Sequence, residues 1–201
     1  MRRFREMDKA IEAVRAQHSR VREIGLEHFE RLWNVSLYFL LFEQDFAILR
    51  YDAVTALTER RRRFVAQHMA TLLYEATDDL KHLLGKDFRR SLQELQATSD
   101  EMAELNGISK RLRSFDTAYH NDLKTIRNLI GAHKDHNAAE QAAALDSIKL
   151  MDLMRISGEF YVPARQLVDL LIRFALAHGT GDEILRQVLR TPSAIDGLVR
   201  E

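Results

Sequence analysis

Leu32-Trp33-Asn34-Val35-Ser36-Leu37-Tyr38-Phe39-Leu40-Leu41-Phe42 is the most apolar run of the chain. Asn34 and Ser36 interrupt it and Glu43 follows it, so it is too short to span a bilayer and reads as a buried helix. The wider segment 29–49 is rich in aromatics, with Phe29 and Phe46 added to Trp33, Tyr38, Phe39 and Phe42. It reads as a central helix. Aromatics at helical spacing belong to a core far more often than to a base-stacking platform. The surrounding sequence repeats the pattern: helical periodicity dominates and strand-like alternation is nearly absent.

Working outward, Phe4, Met7, Ile11, Val14, Val21 and Ile24 fall roughly on one face of a first amphipathic helix that Gly25 interrupts. Residues 64–84 carry Phe64, Met69, Leu72, Leu73, Leu80 and Leu84, with Gly85 as a C-cap. A short helix over 86–96 follows. Thr98-Ser99-Asp100-Glu101 has capping-box spacing and starts another, which Asn106-Gly107 is expected to end. A helix from about Ser109 or Phe115 runs to Ala132, and residues 133–137 form a polar break. A helix over 148–159 and one from Pro163 to His178 come next, the proline suiting a first turn. The expected organisation is a helical hairpin over 1–57, a bundle over 58–180 and a short helical tail over 181–201, together one compact unit.

The chain has 201 residues, 46% of them hydrophobic, which suffices for a sizeable core. Basic and acidic residues balance at 30 each, so nucleic-acid binding requires a local patch rather than a global field. Cysteine is absent, which excludes disulfides and thiolate metal sites and suits a reducing cytoplasm. Met1 to Arg5 is basic, but Glu6, Asp8 and Lys9 follow instead of an apolar stretch, so no signal peptide is read there. The expected location is cytoplasmic, with no membrane partner.

The chemistry concentrates in Ile126-Arg127-Asn128-Leu129-Ile130-Gly131-Ala132-His133-Lys134-Asp135. A guanidinium is always charged, and its fork matches phosphate oxygens. An imidazole titrates near neutral pH and moves protons. Together they suit phosphodiester chemistry with no metal and no cofactor. Spacing alone is weak evidence, because Arg22/His28, Arg61/His68, Arg113/His120 and Arg173/His178 also have four to six residues between them. Context separates Arg127: only it is followed by Asn, and only His133 sits at a Gly-Ala step into a polar break. On an ideal helix Arg127 and His133 stand about 120° apart. They share a site if Gly131 loosens the last turn.

The stretch from Ile126 to His133 resembles the motif of the HEPN superfamily: an arginine, a polar residue straight after it, and a histidine after four to six residues. Upstream, Arg61, Phe64, His68, Leu73, Tyr74, Glu75 and Leu84-Gly85 resemble a HEPN branch tied to phage abortive infection. The likeness covers residues 58–177. It implies an all-α up-and-down helical bundle of HEPN type, here with additional N-terminal and C-terminal helices. It implies a homodimer that brings two motifs into one cleft. In active members it implies metal-independent RNA cleavage, with Arg127 stabilising the phosphorane charge, His133 transferring the proton and Asn128 orienting substrate. An antitoxin or regulatory protein would then control a toxin of this kind. The superfamily also holds members without catalysis, so fold and function separate.

For RNA contact the candidates are Arg61, Arg62, Tyr119, His120 and Lys134. The run Arg60 to Arg63 reads either as a phosphate-tracking patch or as a solvated helix start. His120, His133, Asp135 and His136 lack a strong zinc pattern, and Asp79 with His82 supplies a single D-x-x-H step, too little for a di-iron bundle. No metal site is expected. Gly179-Thr180-Gly181 has no Lys-Ser/Thr after it and is no nucleotide loop. The rival to a ribonuclease is a non-catalytic helical dimer that binds a protein partner or nucleotide, and beyond it a purely structural bundle.

Overall fold

The computed structural model describes residues 2–131, 143 and 149–178. Among them are six helices and no strand: α1 (Arg2–Glu23), α2 (Glu27–Thr55), α3 (Glu59–Leu83), α4 (Lys86–Glu94), α5 (Ser99–Gly131) and α6 (Leu150–His178). The all-α expectation is met. The expected tail over 181–201 lies outside the described residues.

Helix ends follow local chemistry. Gly25 adopts φ +73° after α1, and Leu26 N–H reaches back to the Val21 carbonyl at 2.9 Å, which satisfies a terminal acceptor. Thr58 caps α3 by accepting the Arg61 N–H on Oγ1 at 3.2 Å. At α5 the capping box forms as the spacing predicts. Glu101 N–H donates to Thr98 Oγ1 at 3.2 Å, and Thr98 N–H donates to Glu101 Oε2 at 2.8 Å. Gly85 departs from expectation: its φ of −72° is not the left-handed form, and it stands as the N-cap of α4.

Two expected breaks are absent. α5 runs through Asn106-Gly107, and α6 runs through Pro163. A helical glycine costs about 1 kcal/mol and an internal proline about 3 kcal/mol. Leu105 and Ile108 flank the first site, and Phe160, Ala164 and Leu167 flank the second, all buried. A fully buried large side chain contributes about 1.5–3 kcal/mol, so each pair or trio offsets its local penalty.

Contacts divide the described chain into two compact units. One takes residues 2–41, 83–107 and 166–178; its buried side chains include Phe29, Leu32, Phe39, Phe88, Leu95, Leu105 and Phe174. Arg173 Nη2 donates to Glu104 within it, at 2.5 Å.

The other unit takes residues 42–82, 108–131 and 149–165 and carries the candidate site. Phe160 is its hub: its ring packs edge-on against Phe42 at 5.2 Å and against Phe115 at 5.1 Å, tying α6 to α2 and α5. Phe42 also stacks on Phe46 at 5.6 Å. Phe29, Phe39, Phe42 and Phe46 of the central helix are thus core residues, while Trp33 and Tyr38 are half-buried. Glu43, which closes the apolar run, does not end the helix. It is buried, and it accepts from Arg165 Nη1 at 3.0 Å and from Tyr161 Oη at 3.2 Å. A buried carboxylate is tolerable when so paired.

Among the described residues no helix is long and apolar enough to cross a membrane.

Candidate functional site

The site is a seam between α3 and α5. Helical geometry places Asp116, His120, Leu123 and Arg127 along one stripe of α5, because residues seven apart differ by only about 20°. Leu123 is fully buried and anchors the stripe. The polar members meet α3.

Arg127 lies on the last turns of α5. Its Nη2 donates to Glu75 Oε1 at 3.3 Å, and its guanidinium carbon sits 5.4 Å from the centroid of the Tyr74 ring. The Arg127 side chain is 46% exposed and that of Glu75 51%, so this is a surface ion pair. Such pairs contribute about 0–1 kcal/mol. The remaining N–H donors of the guanidinium have no partner among the described residues. Asp122 is exposed on α5, and Asp135 lies outside the described residues.

One heptad earlier on the same stripe stands His120. Its Nδ1 is 3.0 Å from Asp116 Oδ1, and its ring is 5.2 Å from Tyr74. A carboxylate offers only acceptors, so Nδ1 carries the hydrogen of this bond. Lys81 of α3 reaches Asp116 Oδ2 at 3.7 Å. Tyr74 therefore touches both His120 and Arg127.

Tyr119 turns the other way. It donates to Glu159 of α6 at 2.7 Å and receives a 3.4 Å bond from Arg155, which also bonds Glu159 at 2.8 Å. These contacts raise the Arg155 pKa further, chiefly through Tyr119 and secondarily through Glu159. Asn128 is exposed beside Arg127. His133 and Lys134 lie outside the described residues, as do Asp135 and His136.

The basic run belongs elsewhere on α3. Arg61 pairs with Asp52 at 3.6 Å, and Arg62 donates through Nε to the Ala56 carbonyl at 3.2 Å. Arg63 pairs with Glu59 at 3.6 Å. From Arg61 to Glu75 is about 21 Å along the helix, so the structure does not bring Arg61 or Arg62 to Arg127. Among the described residues no group of three His, Asp or Glu side chains is placed to share a metal ion.

An open cavity of about 580 Å³ lies between α2 and α3, lined by Asp45, Ile48, Leu49, His68, Thr71, Leu72 and Glu75. Its lining is mainly apolar, and its Glu75 end is the residue that pairs with Arg127.

Sequence reasoning missed Asp116 and Lys81 and left Tyr74 and Glu75 without a role. The Asp116/His120 pair was readable as an i,i+4 neighbour and His120/Arg127 as an i,i+7 stripe. The α3 partners had no local signal. On α6, Ile156 is buried in the core while Met151 is exposed.

Comparison with known proteins gives no matching family model, no matching curated protein and no matching solved structure.

Proposed function

We propose that this chain is a HEPN-type, metal-independent endoribonuclease that acts in phage defence or as a regulated toxin. The observation that carries the reading is Arg127. Its guanidinium is half-exposed and steadied by one aromatic ring and one solvated carboxylate, and among the described residues its other N–H donors meet no partner. A cation held this loosely is available to a phosphodiester in a way that a buried, fully paired arginine is not. Arg127 stabilises charge on the non-bridging oxygens as the 2′-hydroxyl attacks phosphorus. His133 supplies proton transfer, and Asn128 orients substrate or backbone. Lys134 is a further phosphate contact. A homodimer doubles the positive charge at the phosphate and supplies a second copy of the motif. An antitoxin or regulatory protein restrains it in the cytoplasm.

The test is cleavage of labelled single-stranded RNA by the purified chain. Arg127→Ala and His133→Ala are each expected to abolish cleavage without unfolding the protein, and Asn128→Ala to reduce it mildly. Activity is expected to survive EDTA, to leave 2′,3′-cyclic phosphate ends and to spare DNA. Two fully active alanine variants refute the assignment. Strict dependence on added divalent metal refutes the metal-independent route.

The apolar cavity between α2 and α3 favours a second reading, a non-catalytic helical dimer that binds a protein partner. In that case Leu72→Asp abolishes the partner's binding, while Arg127→Ala leaves the biological effect intact.

A further inference from the structure

The geometry points to His120, oriented by Asp116, as the general base that works beside Arg127 on the face shared by α3 and α5. This inference rests on the ribonuclease reading. Three observations converge on it.

First, position. His120 and Arg127 lie on one stripe of α5, about 20° apart around the helix and about 10 Å apart along it. His120 and Arg127 contact the same Tyr74 ring, at 5.2 Å and 5.4 Å from its centroid, so one substrate segment can meet both side chains. Tyr74 packs against both side chains and fixes their spacing.

Second, tautomer. The Nδ1–H of His120 is committed to Asp116, so the neutral ring carries its lone pair on Nε2. A carboxylate that fixes an imidazole in this way is the orienting element of an acid–base pair. Asp116 is itself held by Lys81. Asp116 acts through His120 and is a positioning residue.

Third, access. The His120 side chain is 29% exposed and that of Asp116 17%. The orienting bond is sheltered while the imidazole keeps a route to solvent. Among the described residues, Asp116 on its own helix and Tyr74 from α3 contact His120, Lys81 of α3 reaches it through Asp116, Lys124 stands one turn on along α5, and Arg127 shares the Tyr74 ring.

The step balances without a metal or a redox partner. The 2′-hydroxyl gives its proton to His120 Nε2 as the O2′–P bond forms. The P–O5′ bond breaks, and Arg127 neutralises the non-bridging oxygens. The departing 5′ oxygen takes a proton from the group to which the ribonuclease reading gives proton transfer, His133, and both rings return to their starting forms by proton exchange with water. The products are a 2′,3′-cyclic phosphate and a 5′-hydroxyl.

The experiment compares the full-length parent with His120→Ala, His120→Gln, Asp116→Asn and Arg127→Ala on a labelled single-stranded RNA. His120→Ala is expected to lose about 10²–10⁴-fold in kcat and to recover activity with added imidazole. Asp116→Asn is expected to lower kcat about ten- to a hundredfold with KM unchanged. His120→Gln keeps an amide donor for Asp116, so folding holds while the rate falls as for alanine. Full activity in His120→Ala or His120→Gln overturns the inference. If Arg127→Ala is then inactive, the ribonuclease reading stands with another base; if it too is active, both fall. A second readout is independent of turnover: the NMR signal of the His120 ring on addition of a dinucleotide lacking the attacking 2′-hydroxyl. A shift seen in the parent and lost in Arg127→Ala supports the shared site, and an unmoved signal in the parent overturns it even where no RNA is cut.

Discussion

Glu75→Gln isolates what the carboxylate does to Arg127. The amide keeps the size and an acceptor oxygen but removes the charge. Both side chains are about half exposed and the contact is 3.3 Å, so the pair contributes about 0.2–1 kcal/mol. A bound phosphate has to compete with that same attraction. Removing it tightens binding of a phosphodiester by at most about fivefold, since about 1.4 kcal/mol is a factor of ten. Stability changes by the same small amount, a Tm shift below about 4 °C for a chain of this size. The assay is fluorescence anisotropy of a labelled DNA oligonucleotide, which lacks the 2′-hydroxyl, at low and high salt. The gain is expected at low ionic strength and to vanish near 1 M salt, where the screening length is about 3 Å. The decisive control is the Arg127→Ala background, in which Glu75→Gln is expected to change nothing. Weaker binding by Glu75→Gln refutes the competition argument, and so does an equal gain without Arg127.

Three further predictions concern stability. Pro163→Ala restores an N–H for the Glu159 carbonyl inside α6 at the expense of a small loss of buried surface, and is expected to stabilise by about 1–2 kcal/mol in urea unfolding. A lower midpoint would show that the proline ring is required by its packing. Phe160→Ala removes the ring that joins Phe42 and Phe115 and is expected to destabilise by about 3–5 kcal/mol, read by thermal denaturation. Gly25→Ala meets open space around its new Cβ but keeps φ +73°, so a loss of about 1–2 kcal/mol from backbone strain alone is expected by denaturant titration.

The sequence by itself determined the helical class, because the apolar period is a property of the chain before it folds. It also determined the ends set by local chemistry. The Thr98/Glu101 capping box involves four consecutive residues, and the left-handed turn at Gly25 needs only the absent Cβ. It marked Arg127 and Asn128 as chemically special from their immediate neighbours. The tertiary structure decided where local penalties are overruled. Asn106-Gly107 reads as a helix stop and Pro163 as a helix start, yet buried Leu105, Ile108, Phe160 and Leu167 carry the helices through both, and burial is known only once the core exists. It also decided what Arg127 faces. Glu75 and Tyr74 precede it by about fifty positions on another helix, so no sequence window connects them. His120 and Tyr119 are adjacent in sequence, but the turn of about 100° per residue sends one to α3 and the other to α6. Only the packing of those helices tells the two apart.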